Sequence, residues 1–166
     1  MEKYTFYDTD PTGHEEYDIS GEQYHALLQA CFKYSDSFSI ILSPSCKADL
    51  SKWENYRIPV EAYVKAVYSH YGDANTGDAD KIGDYEIRQY KLCPELCRSI
   101  AQHTDSLFSW ICGWEFDNPD DPAFFREDGS VFFTSTIHEG ECVLYLKANE
   151  TLARNSLDDK WIKESP

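Results

Sequence analysis

Two cysteines and a histidine–glutamate pair carry the residue types in this sequence that are best suited to chemistry. Cys93 and Cys97 lie four positions apart with Pro94 between them, so on a helix their thiols share one face. A structural zinc site needs further ligands, usually a second close pair, and the other cysteines and histidines are scattered. The spacing also differs from the Cys-x-x-Cys of redox motifs. The sequence therefore predicts no metal and no cofactor.

The second stretch begins at His138 and Glu139 and resembles the start of a zinc-protease motif. It departs from that motif because Cys142 stands where a histidine is needed, and because Gly140 and strand-like neighbours disfavour a helix. A His-Glu pair in a hairpin can still act as general acid and base, with Cys142 or Cys112 nearby. The competing interpretation is a turn whose imidazole bonds a backbone group. His138 and Glu139 are thus an alternative, enzymatic site.

The charge of the whole chain excludes several partners. Its 166 residues include 15 Lys and Arg against 30 Asp and Glu, a net charge of −15. Such a field repels nucleic acids and anionic membranes and attracts basic proteins, although acidity also serves solubility alone. No apolar run approaches the ~20 residues of a membrane span, and the N-terminus lacks the apolar segment of a signal peptide. We expect a cytoplasmic protein with reduced cysteines, bound to neither nucleic acid nor membrane.

The negative charge is concentrated in three segments. Residues 1–18, 73–86 and 115–128 carry net charges of −5, −4 and −5, which leaves the rest of the chain nearly neutral. All three are predicted to be mostly loop, and loops carry binding functions more often than packed elements do. If the segments converge, they form one acidic face with aromatic anchors; if they do not, they are separate solvated loops. The residues predicted to form the protein-binding site are Trp114, Asp117, Asp120, Asp121, Phe125, Glu127 and Asp128.

The elements that must position these residues follow from hydrophobic periodicity. Strands are predicted at 3–8, 37–42, 85–92, 130–137 and 141–147, helices at 20–32, 59–71 and 94–108, and a short helix within 46–56. Ser20 and Gln23 have the spacing of a capping box. Residues 113–129 are interpreted as a connector, and the tail from 149 as a last helix or a frayed end. The order predicts a single α+β domain over 1–166, an antiparallel sheet with a C-terminal hairpin and three to four helices packed on one face.

The last third of the chain resembles a pattern found in small uncharacterised bacterial proteins, some of them linked to toxin–immunity loci. The residues that carry the resemblance are Trp110, Pro119, Asp120, Asp121, Phe124, Phe125, Asp128, Gly129, Phe132, His138 and Glu139. The resemblance implies a bacterial cytosolic protein that neutralises a toxin by binding it.

These observations favour an acidic protein-binding or inhibitory protein, of the immunity type, whose partner is a basic protein such as a toxin. The first alternative is a small enzyme that uses His138 and Glu139. The second is a structural role, for example as a homodimer. The oligomeric state and the identity of the partner stay open at this point.

Overall fold

A long antiparallel sheet forms the framework of the protein in a computed structural model that describes residues 1–10, 12–72, 80–113, 116–152, 157 and 159–164. Its strands are β1 (Glu2–Tyr7), β2 (Ser37–Leu42), β3 (Arg57–Ile58), β4 (Lys81–Ile82), β5 (Tyr85–Lys91), β8 (Asp120–Phe125), β9 (Val131–Thr136), β10 (Glu141–Leu146) and β11 (Ile162–Glu164). They lie in the order β11-β1-β10-β9-β8-β2-β5-β3, with β4 paired to β5. The strands β6 (Cys112–Gly113) and β7 (Phe116–Asp117) form a separate two-stranded ribbon. The predicted α+β class is confirmed.

Helices pack on both faces of the sheet. The helix α1 (Gly21–Tyr34) and the helix α3 (Pro94–Ala101) contribute to the larger core, together with aromatic side chains of β2, β5 and β8. The short helix α2 (Ala62–Val67) lies against the opposite face, where Val64 packs with Ile41 and Phe125. Neighbouring residues such as Phe124 and Phe125 belong to different cores because side chains alternate across a strand. One helix therefore departs from the predicted one-sided arrangement.

Buried aromatic side chains fill the larger core, and two of its indole N–H groups are paired. The indole of Trp110 donates to the hydroxyl of Tyr24 at 2.8 Å, and the indole of Trp53 donates to Ser99 Oγ at 2.8 Å. Pairing of this kind removes most of the cost of burying an indole N–H. Among the residues that the structure describes, no helix has the length and apolar character needed to span a bilayer.

Several predicted elements end earlier than their periodicity suggests. The helix α3 stops at Ala101, since the following segment turns back to bond residues 19–21: Leu107 N–H donates to Ile19 O, and Gly21 N–H donates to Asp105 O. The helix α2 ends at Val67 and tightens into a 3-10 turn over Ser69–Tyr71. The predicted capping box is wrong, because Ser20 makes no side-chain hydrogen bond to the helix.

The largest departure from the sequence prediction is β8, which lies between β2 and β9 in the middle of the sheet although its sequence predicts part of a connector. All six of its residues are buried. The pairing with β2 shifts between Ser39 and Ile41, so that Asp121 and Pro122 form a bulge opposite one residue of β2. A bulge is where a central strand tolerates a proline, since no ladder hydrogen bond is asked of its nitrogen.

The sheet has two ends, which hold different loops. We call the end at which β8 begins the upper end; it also holds the end of β1 and the turn Ile137–Glu139 between β9 and β10. We call the end at which β8 finishes the lower end. The six residues of β8 separate the two by about 17 Å. The tail from 149 is interpreted from the sequence as a last helix or a frayed end; in its described residues Ile162–Glu164 form a strand, β11, which pairs with β1 at the edge of the sheet.

Candidate functional site

Asp121 is the most unusual residue of the upper end. Its side chain is fully buried, with 0% exposure, and its backbone has φ +50°, the one positive φ among the described residues other than glycine. Aspartate visits this left-handed region more readily than most residues, but the conformation is still unfavourable. The bulge in β8 imposes it, and the surrounding structure holds it. Strain and a buried charge at one residue are typical of functional positions.

Four groups surround the Asp121 carboxylate. The backbone N–H of Ile137 donates to Oδ1 at 2.6 Å, and the Tyr71 hydroxyl donates to Oδ2. Two imidazoles approach the same Oδ2: His70 Nε2 and His138 Nδ1 each lie 3.9 Å away. The Tyr71 hydroxyl is also 3.3 Å from His138 Nδ1. We call Asp121, His70, Tyr71 and His138 the Asp121 cluster.

The two imidazoles of the Asp121 cluster reach solvent, whereas the carboxylate between them does not. The side chains of His70 and His138 are 39% and 47% exposed. The Asp121 carboxylate, which lies 3.9 Å from the ring, raises the pKa of His70. Burial likewise raises the pKa of the neighbouring Asp120 to about 6. The upper end therefore holds two groups, His70 and Asp120, whose pKa values are raised above their ordinary values.

Tyr68 and the turn after it explain how His70 reaches Asp121. The buried Tyr68 hydroxyl donates to the backbone carbonyl of Asp121 at 2.6 Å and lies 3.0 Å from Ser39 Oγ. This contact ties the end of α2 to the bulge of β8. The 3-10 turn that follows then places His70 and Tyr71 over the carboxylate. Both imidazoles thus lie at ion-pair distance from the buried carboxylate and beyond hydrogen-bond distance.

An open acidic cleft of about 830 Å³ lies next to the Asp121 cluster. Five carboxylates and one lysine contribute charge to its walls, and two tyrosines and one isoleucine contribute apolar surface. The lining residues are Tyr7, Asp8, Thr9, Asp10, Glu15, Tyr17, Glu139, Asp159, Lys160 and Ile162. Tyr7 and Ile162, at 43% and 49% exposure, are two of the four large hydrophobic residues that are exposed in the described part of the chain.

Hydrogen bonds hold the acidic cleft in shape. The Asp10 carboxylate accepts hydrogen bonds from the backbone N–H groups of His14 at 2.6 Å and Glu15 at 2.9 Å, and from the Thr12 hydroxyl. These hydrogen bonds, that of Thr12 above all, lower the pKa of Asp10 to about 2. The N–H of Asp8 donates to Gly140 O at 2.7 Å. The cleft and the Asp121 cluster are thus joined through Ile137–Gly140, with His138 on one side and Glu139 on the other.

The structure overturns part of the predicted protein-binding site. Asp120, Asp121 and Phe125 are buried in the sheet, because the segment that is predicted as a loop is the central strand β8. They cannot be contacted by a partner protein. Glu127 and Asp128 follow β8 at the lower end; Glu127 is exposed, and Lys147 donates to the exposed Asp128 at 2.6 Å.

The remaining two residues of that predicted site stand apart from these. Asp117 is exposed on the ribbon and accepts the N–H of Lys47 at 2.7 Å, and Trp114 lies outside the described residues. The predicted residues that the structure describes therefore do not form one face. Three of the six carboxylates of 1–18, those of Asp8, Asp10 and Glu15, do assemble, but with Glu139 and Asp159 rather than with 115–128.

The second acidic segment is largely compensated where the structure describes it. Glu86 pairs with Arg57 at 2.9 Å and with Arg88 at 2.8 Å, and Asp80 lies 3.9 Å from Arg57. Residues 73–79 lie outside the described part of the chain. The described part of this segment therefore adds little uncompensated charge to the upper end.

Sequence reasoning finds His138 and Glu139 but misses their surroundings. His70 and Tyr71 fit the end of an amphipathic helix, and nothing local indicates a contact with a residue 50 positions later. The usable signal is Asp121 itself, an acidic residue before a proline and close to hydrophobic residues. Such a pair fits a bulge as well as a turn.

One group of side chains in the described ranges could hold a metal ion. Cys46, Cys112 and Asp117 each offer a ligand atom, and these atoms lie within 4.8 Å of one another. The two cysteines are half-buried and Asp117 is exposed. All six cysteines of the chain are free thiols.

Comparison of the chain with protein-family models, with curated proteins and with solved structures gave no match. Its function is therefore inferred from the charges, contacts and burial of its own residues.

Proposed function

We propose that this chain is a binding protein that receives a basic protein partner in the acidic cleft. The observation that carries the proposal is the composition of the cleft, which combines five carboxylates with the exposed side chains of Tyr7 and Ile162. Aromatic and aliphatic anchors inside a charged rim are typical of protein-binding hot spots. Lysine and arginine side chains of a partner would pair with the rim.

The net charge of −15 supports the same proposal at long range. An acidic field speeds the capture of a basic protein and makes the association rate fall with salt. Inhibition follows if the partner presents a basic functional cleft, as nucleases do. The resemblance of the last third of the chain to proteins of toxin–immunity loci agrees with a toxin as the partner. The finer proposal is therefore an immunity-type inhibitor.

Charge reversal in the cleft tests the proposal. The cleft variant carries Glu15→Lys and Glu139→Lys. The control variant carries Glu95→Lys and Glu127→Lys, which are exposed residues outside the cleft and change the net charge by the same amount. Each protein is used as bait with an extract of the producing cells, and the captured proteins are identified by mass spectrometry.

We expect a basic protein that the wild type and the control variant retain and that the cleft variant loses. With that protein purified, the cleft variant should associate at least about tenfold more slowly at low salt. Equal loss in both variants would show that net charge alone is responsible. Capture of no basic protein by the wild type would contradict the proposal.

The Asp121 cluster favours a second candidate, an enzyme that uses His138 as general base. A buried carboxylate behind an exposed imidazole is an arrangement found at catalytic histidines, and here the two groups lie at ion-pair distance. Binding is placed first because neither His138 nor His70 lines the acidic cleft. The sequence pairs His138 with Glu139; in this second candidate its partner is Asp121, whose Oδ2 lies 3.9 Å from the ring.

Hydrolysis of p-nitrophenyl acetate and p-nitrophenyl phosphate tests the second candidate. If His138 is a general base, His138→Gln should lower kcat/KM by roughly 10²- to 10⁴-fold, while His25→Gln on the exposed side of α1 should leave it unchanged. Rates of the wild type that equal those of His138→Gln for both esters would remove the enzymatic interpretation for these substrate classes.

A further inference from the structure

We propose that Cys46, Cys112 and Asp117 form a binding site for a zinc-type divalent ion. Their ligand atoms lie within 4.8 Å of one another although 66 positions separate the first two in the sequence. The site lies on the ribbon and the loop beside it, and none of its residues lines the acidic cleft. It does not depend on the proposed binding function.

The ribbon places two of the ligands side by side. Cys112 in β6 and Asp117 in β7 are directly opposed in the antiparallel register. Directly opposed residues point to the same face of a ribbon, with Cβ atoms about 4.5–5.5 Å apart. A thiol and a carboxylate in this relation can reach one ion without a change of backbone.

Hydrogen bonds hold the third ligand against the first two. The N–H of Lys47 donates to Asp117 Oδ1 at 2.7 Å, and the Cys46 thiol lies 3.6 Å from Asn118 O. The N–H of Cys112 in turn donates to Asp120 at 2.5 Å. Contacts of this kind orient the ligands of metal sites.

The donor set selects the ion. Two thiolates favour zinc and similar soft ions over magnesium and calcium, which prefer oxygen ligands. Zinc bonds of about 2.3 Å to sulfur and about 2.0–2.2 Å to oxygen bring ligands within about 4 Å of each other, so the side chains need to close by only about 1 Å. Three protein ligands leave a fourth position for water. Binding displaces the two thiol protons, which pass to the buffer.

Zinc titration of the full chain tests the site. The protein is reduced, freed of metal with a chelator, and titrated with Zn²⁺ by calorimetry and with Co²⁺ by absorption spectroscopy. We expect one ion per chain and thiolate-to-cobalt charge-transfer absorption. Because the released thiol protons are taken up by the buffer, the measured binding enthalpy should change with the ionisation enthalpy of the buffer. At a Zn²⁺ concentration about 100 times Kd, Tm should rise by about 5 °C or more.

Matched cysteine variants locate the site. Cys112→Ser should weaken Zn²⁺ binding at least about 100-fold, and Asp117→Asn about 10- to 100-fold. The control is Cys93→Ser with Cys97→Ser, which removes two other half-buried cysteines and should leave the affinity unchanged. Circular dichroism establishes that each variant is folded in the absence of metal.

Three results would overturn the proposal. The first is binding of less than one Zn²⁺ per reduced wild-type chain. The second is loss of binding in the Cys93 and Cys97 variant with retention in Cys112→Ser. The third is a Co²⁺ spectrum without thiolate absorption.

Discussion

Two buried charges lie at opposite ends of β8, and they are treated in opposite ways. At the lower end Arg126 follows the strand and forms two hydrogen bonds to Glu150, at 2.7 and 2.6 Å, with both side chains 6% exposed. It also donates to the carbonyls of Val131 and Tyr145, each at 2.5 Å. The guanidinium is thus neutralised and its donors are used. This pair joins β8, β9 and the segment after β10.

At the upper end Asp121 contacts no lysine or arginine among the described residues. Its neighbours are a hydroxyl, a backbone N–H and two imidazoles. Its backbone is also in an unfavourable conformation. The difference predicts that the charge of Arg126 contributes to the stability of the fold and that the charge of Asp121 does not. The two residues therefore offer a comparison of two buried charges along one strand.

Removal of Arg126 should have the largest effect. Arg126→Met leaves Glu150 buried without its cation and should lower the free energy of unfolding by about 3–5 kcal/mol, measured by urea denaturation. Arg98→Met, which removes an exposed partner of Glu95, should cost less than about 1 kcal/mol. The double variant Arg126→Met with Glu150→Met should recover most of the loss. A loss below about 1 kcal/mol for Arg126→Met would remove the structural side of the comparison.

Substitution of Asp121 should separate its hydrogen bonds from its charge. Asp121→Ala loses the acceptor for Ile137 and Tyr71 and keeps an unfavourable φ, so it should cost about 2–3 kcal/mol. Asp121→Asn keeps an oxygen for Ile137 and tolerates a left-handed φ, so it should cost about 1 kcal/mol or less. Urea denaturation at neutral pH measures both. If Asp121→Asn also cost about 2–3 kcal/mol, the charge of Asp121 would be structural, like that of Arg126.

The strand β8 also shows which elements of the fold can be predicted from the sequence and which cannot. The helix α1, the strands β2 and β5, and the hairpin of β9 and β10 are predicted because each has a clean apolar period within a short window. The strand β8 is missed because Asp120, Asp121 and Pro122 have the composition of a turn. Burial of β8 between β2 and β9, a tertiary effect, overrides that local preference.

The candidate sites depend still more on contacts that are distant in the sequence. His138 is identified from its own neighbours, but the contact of His70 with Asp121 spans 51 positions. The acidic cleft joins residues 7–17 to Glu139 and 159–162. Charge clustering along the sequence indicates that acidic surfaces exist. It cannot say which clusters meet, since the order of strands in the sheet decides that.

Gly140 tests how tightly the upper end is packed around the acidic cleft. Its φ is +66°, and a Cβ at this position would overlap the carboxylate of Asp8. Gly13 has a similar φ of +72°, and a Cβ added there would meet no described residue within 4 Å, so it is a matched control. Gly13→Ala should cost about 1 kcal/mol from the backbone alone, and Gly140→Ala about 1 kcal/mol more. If urea denaturation gave the same loss in free energy of unfolding for both variants, the Asp8 side chain would be able to move away from the added Cβ freely.

The smallest effect, and the most local, is the protonation of His70. Because Asp121 raises the pKa of His70, the imidazolium contributes stability that is fully present below the unfolded pKa of about 6.5 and is lost as pH rises through the folded pKa. NMR titration of the ring resonances measures this pKa directly. In Asp121→Asn it should fall, because the charge that favours the imidazolium is gone, while the resonance of His25, on the exposed side of α1, should be unaffected. An unchanged pKa of His70 would assign its shift to the two other groups that raise it, the Glu139 carboxylate and the Val67 backbone, and would remove the role of Asp121 in the protonation of this ring.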